Sequence, residues 1–314
     1  MNQVTESLKS VNVREVPTAL IVNTKARRGQ ELYNYAQQAL FSAGVKLVDS
    51  YPLVHGKALG QLIRSLVERG VKAIILGSGD GTISSTVDYL VNNEVVLGVL
   101  PFGTANDFAR TLQLPCEIDE AIKVILGGCT TKIDLGIVNQ NYYVNVASVG
   151  VGAAVVEYTS NDSKKLLGPL AYPLAAAQAV LEHQPFTARL TFSNQTIETQ
   201  AMHIAVANGR FYGGGVVVAP SARIDDNELI VTIFEPMNPT ELFWVGMHLR
   251  DGQYVRHPRV RVFRRVRHLK LDVIGGQQQQ LNIDGELMGH TPAEFGIAAA
   301  SLRVFVPHNY GDSL

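Results

Sequence analysis

Three short stretches of this chain hold residue types suited to phosphate and proton chemistry. The first, LGSGDGTISS at residues 76–85, sets Gly77, Gly79 and Gly81 around Asp80, with no phosphate-gripping lysine nearby. Peptide N–H groups in a glycine-rich turn at a helix start form a nest for anions, because no side chain blocks the backbone. Asp80 would repel a bare phosphate, so this reading needs a cation between them. Mg²⁺ suits, since it keeps several waters and takes one or two carboxylates plus phosphates. A tight strand-to-helix turn with an aspartate cap also accounts for the stretch taken alone. The second stretch is PFGTANDFAR at 101–110, where Pro101 and Gly103 shape a turn and Thr104 and Asn106 offer short polar groups. Asp107 stands where it can cap the helix carrying Arg110. The third, NIDGE at 282–286, places Asp284 and Glu286 on either side of Gly285. A carboxylate within reach of an alcohol can take its proton. By pattern alone, though, DGE is more commonly an exposed hairpin turn.

The elements that must position these stretches fall into two textures. Up to residue 130, strand-like runs at Ala19–Val22, Lys46–Val48, Val71–Leu76 and Val95–Leu100 alternate with helical patterns at Glu31–Ser42, Lys57–Glu68 and Ile83–Val91. A further helical piece, Glu117–Leu126, closes at Gly127–Gly128. Such alternation predicts a parallel sheet covered on both faces, with ligands beyond the carboxyl ends of its strands. Three of those ends carry unusual loops: Asn23–Gly29, Gly77–Thr82 and Pro101–Asp107. From Thr131 the runs become short and partly alternating: Tyr142–Val146, Ala188–Phe192, His203–Ala207, Leu229–Phe234 and Val260–Val266. Turns at Asn161–Ser163, Gly213–Gly215, Asp225–Asn227 and Gly275–Gly276 separate them, which predicts an antiparallel β domain. One helical pattern, Tyr172–His183, interrupts it.

GSGDGT, PFGTANDFAR and NIDGE, in that order, resemble the diacylglycerol kinase catalytic family, particularly its bacterial YegS-like lipid kinases. NTKARRG (23–29), VANGRFYGGG (206–215) and PSARIDDNELIV (220–231) extend the likeness, which runs from about Ala19 to Pro307. The family is related more distantly to sphingosine kinases, NAD kinases and phosphofructokinases. The resemblance implies an α/β ATP-binding domain of NAD kinase/phosphofructokinase type at residues 1–130, joined by a C-terminal return at 299–314. An antiparallel β-sandwich lipid-substrate domain would fill 131–298, with the active site in the interdomain cleft. Carried over residue by residue, ATP would lie on Asn23, Thr24, Lys25, Ala26 and Arg27 of the first loop and on Ser78, Gly79, Asp80, Gly81, Thr82 and Ile83. Thr104 and Asn106 would join them. Asp80 and Asp107 would enter a water–Mg²⁺ network at the phosphates. Asp284 and Glu286 match the family's catalytic acidic pair, with Arg110 orienting them. A structural Mg²⁺ would sit on the Asp226 side chain and the backbone carbonyls of Arg223 and Glu228. The chain departs from the family at Ser78, where a glycine is usual, at Ser85 in place of a glutamate, and at Thr24, Arg27 and Asn227.

The reaction so implied moves the γ-phosphoryl group of ATP to a lipid hydroxyl, that of diacylglycerol above all, giving phosphatidic acid. A NAD kinase-like small-molecule kinase shares the glycine–aspartate loop, but Asn93–Glu94 and Asn227–Glu228 suit its Asn–Glu motif poorly. A non-catalytic nucleotide- and lipid-binding protein is the alternative outside the enzymes. Bulk composition agrees with a globular protein of about two domains: 314 residues, 46% hydrophobic, 18% charged, formal net charge −1. Two cysteines, Cys116 and Cys129, read as reduced thiols, and the amino-terminal residues have no apolar core of a signal peptide. The apolar run Leu166–Leu181 is broken by Gly168, Pro169 and Pro173 and falls short of a span of about 20 residues. A cytoplasmic protein, peripheral on the inner face of the membrane, is therefore expected. Residues 256–270, RHPRVRVFRRVRHLK, are basic from Arg256 to Lys270 without one acid. They read either as a solvated strand face or as a patch for anionic headgroups, worth about 1 kcal/mol per basic residue. Leu166–Leu181 reads as a core helix or as an acyl-chain slot. Nucleic acid is not expected, because aromatic stacking partners are lacking, and a homodimer is the default assembly. GVGAAV at 150–155 mimics a dinucleotide fingerprint without its final glycine, and the eight histidines show no zinc spacing.

Overall fold

The computed structural model describes residues 9–25, 28–54, 58–154 and 184–311. The expected turn Asn161–Ser163, the helix Tyr172–His183 and the apolar run Leu166–Leu181 lie outside the described residues. Contacts divide the chain into two units, residues 1–135 with 299–314, and residues 136–298.

In the first unit, a two-residue strand β1 (Lys9–Ser10) precedes β2 (Thr18–Asn23), β3 (Leu47–Leu53), β4 (Ala73–Ser78) and β5 (Val96–Pro101). These four pair in parallel in the order β3-β2-β4-β5, and residues 303–304 extend the sheet beyond β5. AIILGS of β4 and VLGVLP of β5 are buried at every position, as strands covered on both faces must be. β3 forms the edge, where Pro52 is tolerated because no ladder N–H is missed there. Helices α1 (Gly29–Ser42), α2 (Leu59–Glu68), α3 (Asp80–Leu90), the short α4 (Asp107–Thr111) and α5 (Ile118–Gly127) connect the strands. α1 turns Tyr33, Ala36 and Leu40 inward at helical spacing. They meet Leu20, Val22 and Ile75 of the sheet in one core. α5 ends as its glycines predict, on Gly128 in the left-handed region at φ 74°. The helix expected from Ile83 begins instead at Asp80, with the Ile83 N–H on the Gly79 carbonyl. The glycine loop is thus itself the first helical turn.

β6 (Cys129–Val138) leads into the second unit, where β7 (Asn141–Tyr143), β8 (Val146–Gly150), β9 (Phe186–Phe192), β10 (Thr196–Ala201) and β11 (His203–Ala207) follow. A short hairpin, β12 (Phe211–Tyr212) and β13 (Val216–Val217), turns through Gly213, Gly214 and Gly215, all at positive φ. Then come β14 (Leu229–Phe234), α6 (Pro239–Met247), β15 (Val260–Val266), β16 (Leu269–Ile274), β17 (Gln280–Ile283), β18 (Glu286–His290) and β19 (Ala293–Phe305). One antiparallel layer runs β10-β9-β16 and on to residues 293–295 of β19; the other runs β15-β14-β11-β8-β17-β18. Alternate residues of both layers share one core, with Ala188, Leu190, Leu271 and Phe295 facing Ala147, Val149, Ile204 and Val231. The chain is therefore an α/β parallel-sheet unit followed by an antiparallel β-sandwich. One predicted strand is corrected: Tyr142–Val146 is broken between β7 and β8. The cause lies in the site.

Candidate active site

The first unit brings three loops together at the carboxyl ends of its strands. Asn23, ending β2, donates from Nδ2 to the Thr82 hydroxyl at 2.9 Å, while its Oδ1 accepts the Lys25 N–H at 3.1 Å. Thr24 turns away, its hydroxyl on the Leu53 carbonyl. Gly29 closes this loop, since a Cβ there would lie 2.4 Å from the Thr24 Cα. Ala26 and Arg27 lie outside the described residues. The β4–α3 and β5–α4 loops touch backbone to backbone: a Cβ on Gly103 would meet the Gly79 Cα at 2.6 Å. Asn106, at φ 52°, fixes the second loop, taking the Gly103 N–H at 2.9 Å and donating to the Pro101 and Gly103 carbonyls. Asparagine is among the few side chains at ease in that conformation.

Asp80 ties the two loops. Its Oδ1 accepts the Phe108 N–H at 2.9 Å, so it caps α4 from another loop. The expectation that Asp107 caps this helix is corrected: Asn106 precedes the helix, no side chain of its own caps it, and Asp107 is its first residue, buried. Thr104 is exposed at the loop's tip. Arg110, also exposed, folds its Nε onto the Ala105 carbonyl at 3.1 Å. A Cβ placed on Gly81 would meet nothing within 4 Å, so the start of α3 is open there. Ser78 is 1% exposed, and its hydroxyl has no hydrogen-bond partner among the described residues. Ser85 bonds back to the Gly81 carbonyl at 2.8 Å.

In the second unit, Asp284 and Gly285 make a two-residue hairpin between β17 and β18, with φ of 46° and 95°. An Asp–Gly pair with both residues at positive φ is the preferred tight hairpin, because its twist matches the strands. The Asp284 carboxylate accepts three backbone N–H groups, from Val144 at 2.7 Å and from Asn145 and Val146 at 3.0 Å. The Val144 and Asn145 N–H groups belong to the break between β7 and β8, where they turn to the carboxylate, and Val146 opens β8. Asn208 fastens the same segment, its Nδ2 on the Val144 carbonyl and its N–H on the Asn145 carbonyl, both at 2.9 Å. Asn282 accepts the Gly285 N–H at 3.0 Å and donates to the Tyr212 hydroxyl at 2.8 Å. Glu286 alone of the acidic pair is exposed; Asp284 is 8% exposed. Beneath them, burial and then the nearby Asp284 charge push the Tyr143 phenol well above its ordinary range.

In the sequence, Asn208, Asn282 and Tyr212 stand out only as parts of motifs, with no role of their own. An asparagine inside a buried strand, as in LNIDGE, is the signal that its side chain serves a turn. The Asp225–Glu228 loop stands apart from this hairpin in sequence. Asp226 accepts the Glu228 N–H at 3.0 Å in an Asx turn, Arg223 pairs with Asp225 at 3.3 Å, and Asn227 sits at φ 58°. Among the described residues no group of three or more His, Cys, Asp or Glu side chains is assembled for a metal ion.

Comparison with known proteins agrees with this division. The diacylglycerol kinase catalytic domain matches residues 17–138, and the YegS C-terminal NAD kinase beta sandwich-like domain matches residues 145–306. A diacylglycerol kinase of Staphylococcus haemolyticus is 30% identical over 251 residues, 79% of this chain and 75% of its own. One from Staphylococcus epidermidis is 29% identical over 301 residues, 95% of this chain and 89% of its own. Two Bacillus anthracis crystal structures share the fold. One, of a diacylglycerol kinase, gives a TM-score of 0.70 at 20% identity; it covers 94% of this chain and 98% of that one. The other gives 0.79 at 22% identity with the same coverage. Two family domains in tandem, and relatives named for one activity along nearly the whole length, place this chain in the diacylglycerol kinase family, as a phosphotransferase.

Proposed function

We propose that the protein transfers the γ-phosphoryl group of ATP to the hydroxyl of diacylglycerol, giving phosphatidic acid, with Mg²⁺ at the phosphates. The observation that carries this reading is the joined pair of glycine loops, Gly79 against Gly103 and Asp80 on the Phe108 N–H. The donors fit a nucleotide's phosphates: an open helix start at Gly81, and a buried Ser78 hydroxyl without a partner among the described residues. Two carboxylates, Asp80 and Asp107, suit an ion held mainly by phosphate oxygens and water. Mg²⁺, when bound, supplies charge neutralisation at those oxygens. Asn23 and Asn106 hold their loops in place, so the N–H groups are oriented before any ligand arrives. Asp284, its oxygens engaged by three N–H groups, holds the hairpin. Glu286, exposed on it, takes the proton of the acceptor hydroxyl. Because the acceptor resides in a bilayer, the work is done at a membrane's inner surface, with the basic run 256–270 toward its headgroups. Arg264 and Arg265 are exposed on β15, whereas Arg261 lies 3.8 Å from Glu235. No helix among the described residues is long and apolar enough to cross a membrane.

The test is γ-labelled ATP with purified protein and detergent-dispersed diacylglycerol. Label should appear in phosphatidic acid and vanish on chelation of divalent cations. Label on a soluble nucleotide instead would replace this reading with the NAD kinase-like one. Glu286→Gln should lower turnover about 10²-fold or more; near-normal turnover rejects Glu286 as the base.

A further inference from the structure

Helix α6 is built firmly yet buries almost nothing of itself. Asn238 and Glu241 form a complete capping box, with Pro239 in the first turn. Of its residues, PTELFWVGM, Val245 alone is buried, packed with Tyr254 and Val260. Phe243 is 72% exposed, Met247 67% and Trp244 37%. Phe243 and Met247 are four residues apart and so share one face. Trp244 stacks on His248 at 4.1 Å and leans on His257 at 5.4 Å. With Arg256 it lines a cavity of about 370 Å³.

Arginines make up most of the exposed charge beside this apolar face. Arg250, Arg256 and Arg259 are exposed around it, Arg259 lying 3.8 Å from Glu235. Of the nearby acids, Glu235 is half-buried beside Arg259 and Arg261, Glu241 accepts the Asn238 N–H, and Asp251, exposed, accepts the Gln253 N–H. Large apolar side chains, a tryptophan with one covered face and flanking arginines are what an anionic bilayer surface accepts: the rings enter the acyl boundary while guanidinium groups meet phosphates. We infer that α6 is the membrane anchor of this protein, inserting Phe243, Trp244 and Met247 into an anionic leaflet. This deepens the lipid-kinase reading and rests on it for the choice of a bilayer over other apolar partners.

The chain has one tryptophan, Trp244, so its fluorescence reports on this helix alone. Vesicles of phosphatidylcholine with phosphatidylglycerol should shift its emission to the blue, and brominated acyl chains should quench it; pure phosphatidylcholine should do so at least about tenfold less well. Phe243→Ser with Met247→Ser should cut vesicle partition at least about tenfold at unchanged melting temperature. The double variant should keep wild-type turnover on detergent-dispersed diacylglycerol. No blue shift, or equal partition of wild type and variant, overturns the anchor even if diacylglycerol is phosphorylated. A shift and quenching without any phosphorylation of lipid uphold the anchor and reject the proposed function. A dimer that the same substitutions abolish, with no vesicle binding, overturns the anchor in favour of a second copy on this face.

Discussion

At the scale of single residues, two carboxylates one glycine apart have opposite surroundings. Asp284 is buried and accepts three N–H groups, while Glu286 stands in solvent on the same hairpin. Removing the first leaves three buried donors unsatisfied, a cost of about 1–3 kcal/mol each. Asp284→Ala should therefore lower unfolding free energy by at least about 3 kcal/mol, read by denaturant titration. Glu286→Gln should leave it within about 0.5 kcal/mol, because the exposed side chain supports no packing. Equal stability of the two variants would refute the holding role. The DGE pattern is visible in the chain, and so is the choice between hairpin and acid pair. The structure shows the hairpin, and it holds the Asp284 carboxylate through N–H groups 138–140 residues away that no local pattern reveals.

Among the elements, the deciding contact is between two turns. Gly79 and Gly103 meet with no room for a side chain, and Asp80 reaches across to the start of α4. A methyl group on Gly103 must push the two loops apart, and a misplacement of about 1 Å costs roughly 10²-fold where reacting groups are prearranged. Gly103→Ala should thus lower kcat/KM for the nucleotide by about that factor. Tight nucleotide binding by this variant, measured by calorimetry, would sever the link between loop contact and phosphate binding. The sequence marked both loops by their glycines and their place after buried strands. It misplaced the start of α3 by one turn, because the Gly79 carbonyl already takes the Ile83 N–H, and the cap of α4, because the Asp80 carboxylate reaches there from another loop.

For the whole molecule, the chain's last stretch is part of its first unit. Leu302, Val304, Phe305 and Val306 are each at most 1% exposed, and residues 303–304 pair in parallel with β5. Burying four such side chains stabilises by roughly 1.5–3 kcal/mol each, comparable to the 5–15 kcal/mol of a typical domain. Truncation before Ala299 should therefore abolish the cooperative unfolding of the first unit, followed by circular dichroism and limited proteolysis. A truncated protein that melts as the full chain does would refute this dependence. What the sequence determined by itself was local in origin: buried parallel strands from continuous apolar runs, sandwich strands from alternation, and loops from glycine and asparagine. What only the tertiary structure decided was which polar groups answer one another. Asp80 on Phe108, Asp284 on Val144 to Val146, and the exposure of α6 all depend on segments brought together across the chain. Hydrogen bonds and burial at that range are set by packing, and a periodic pattern carries no record of its partner.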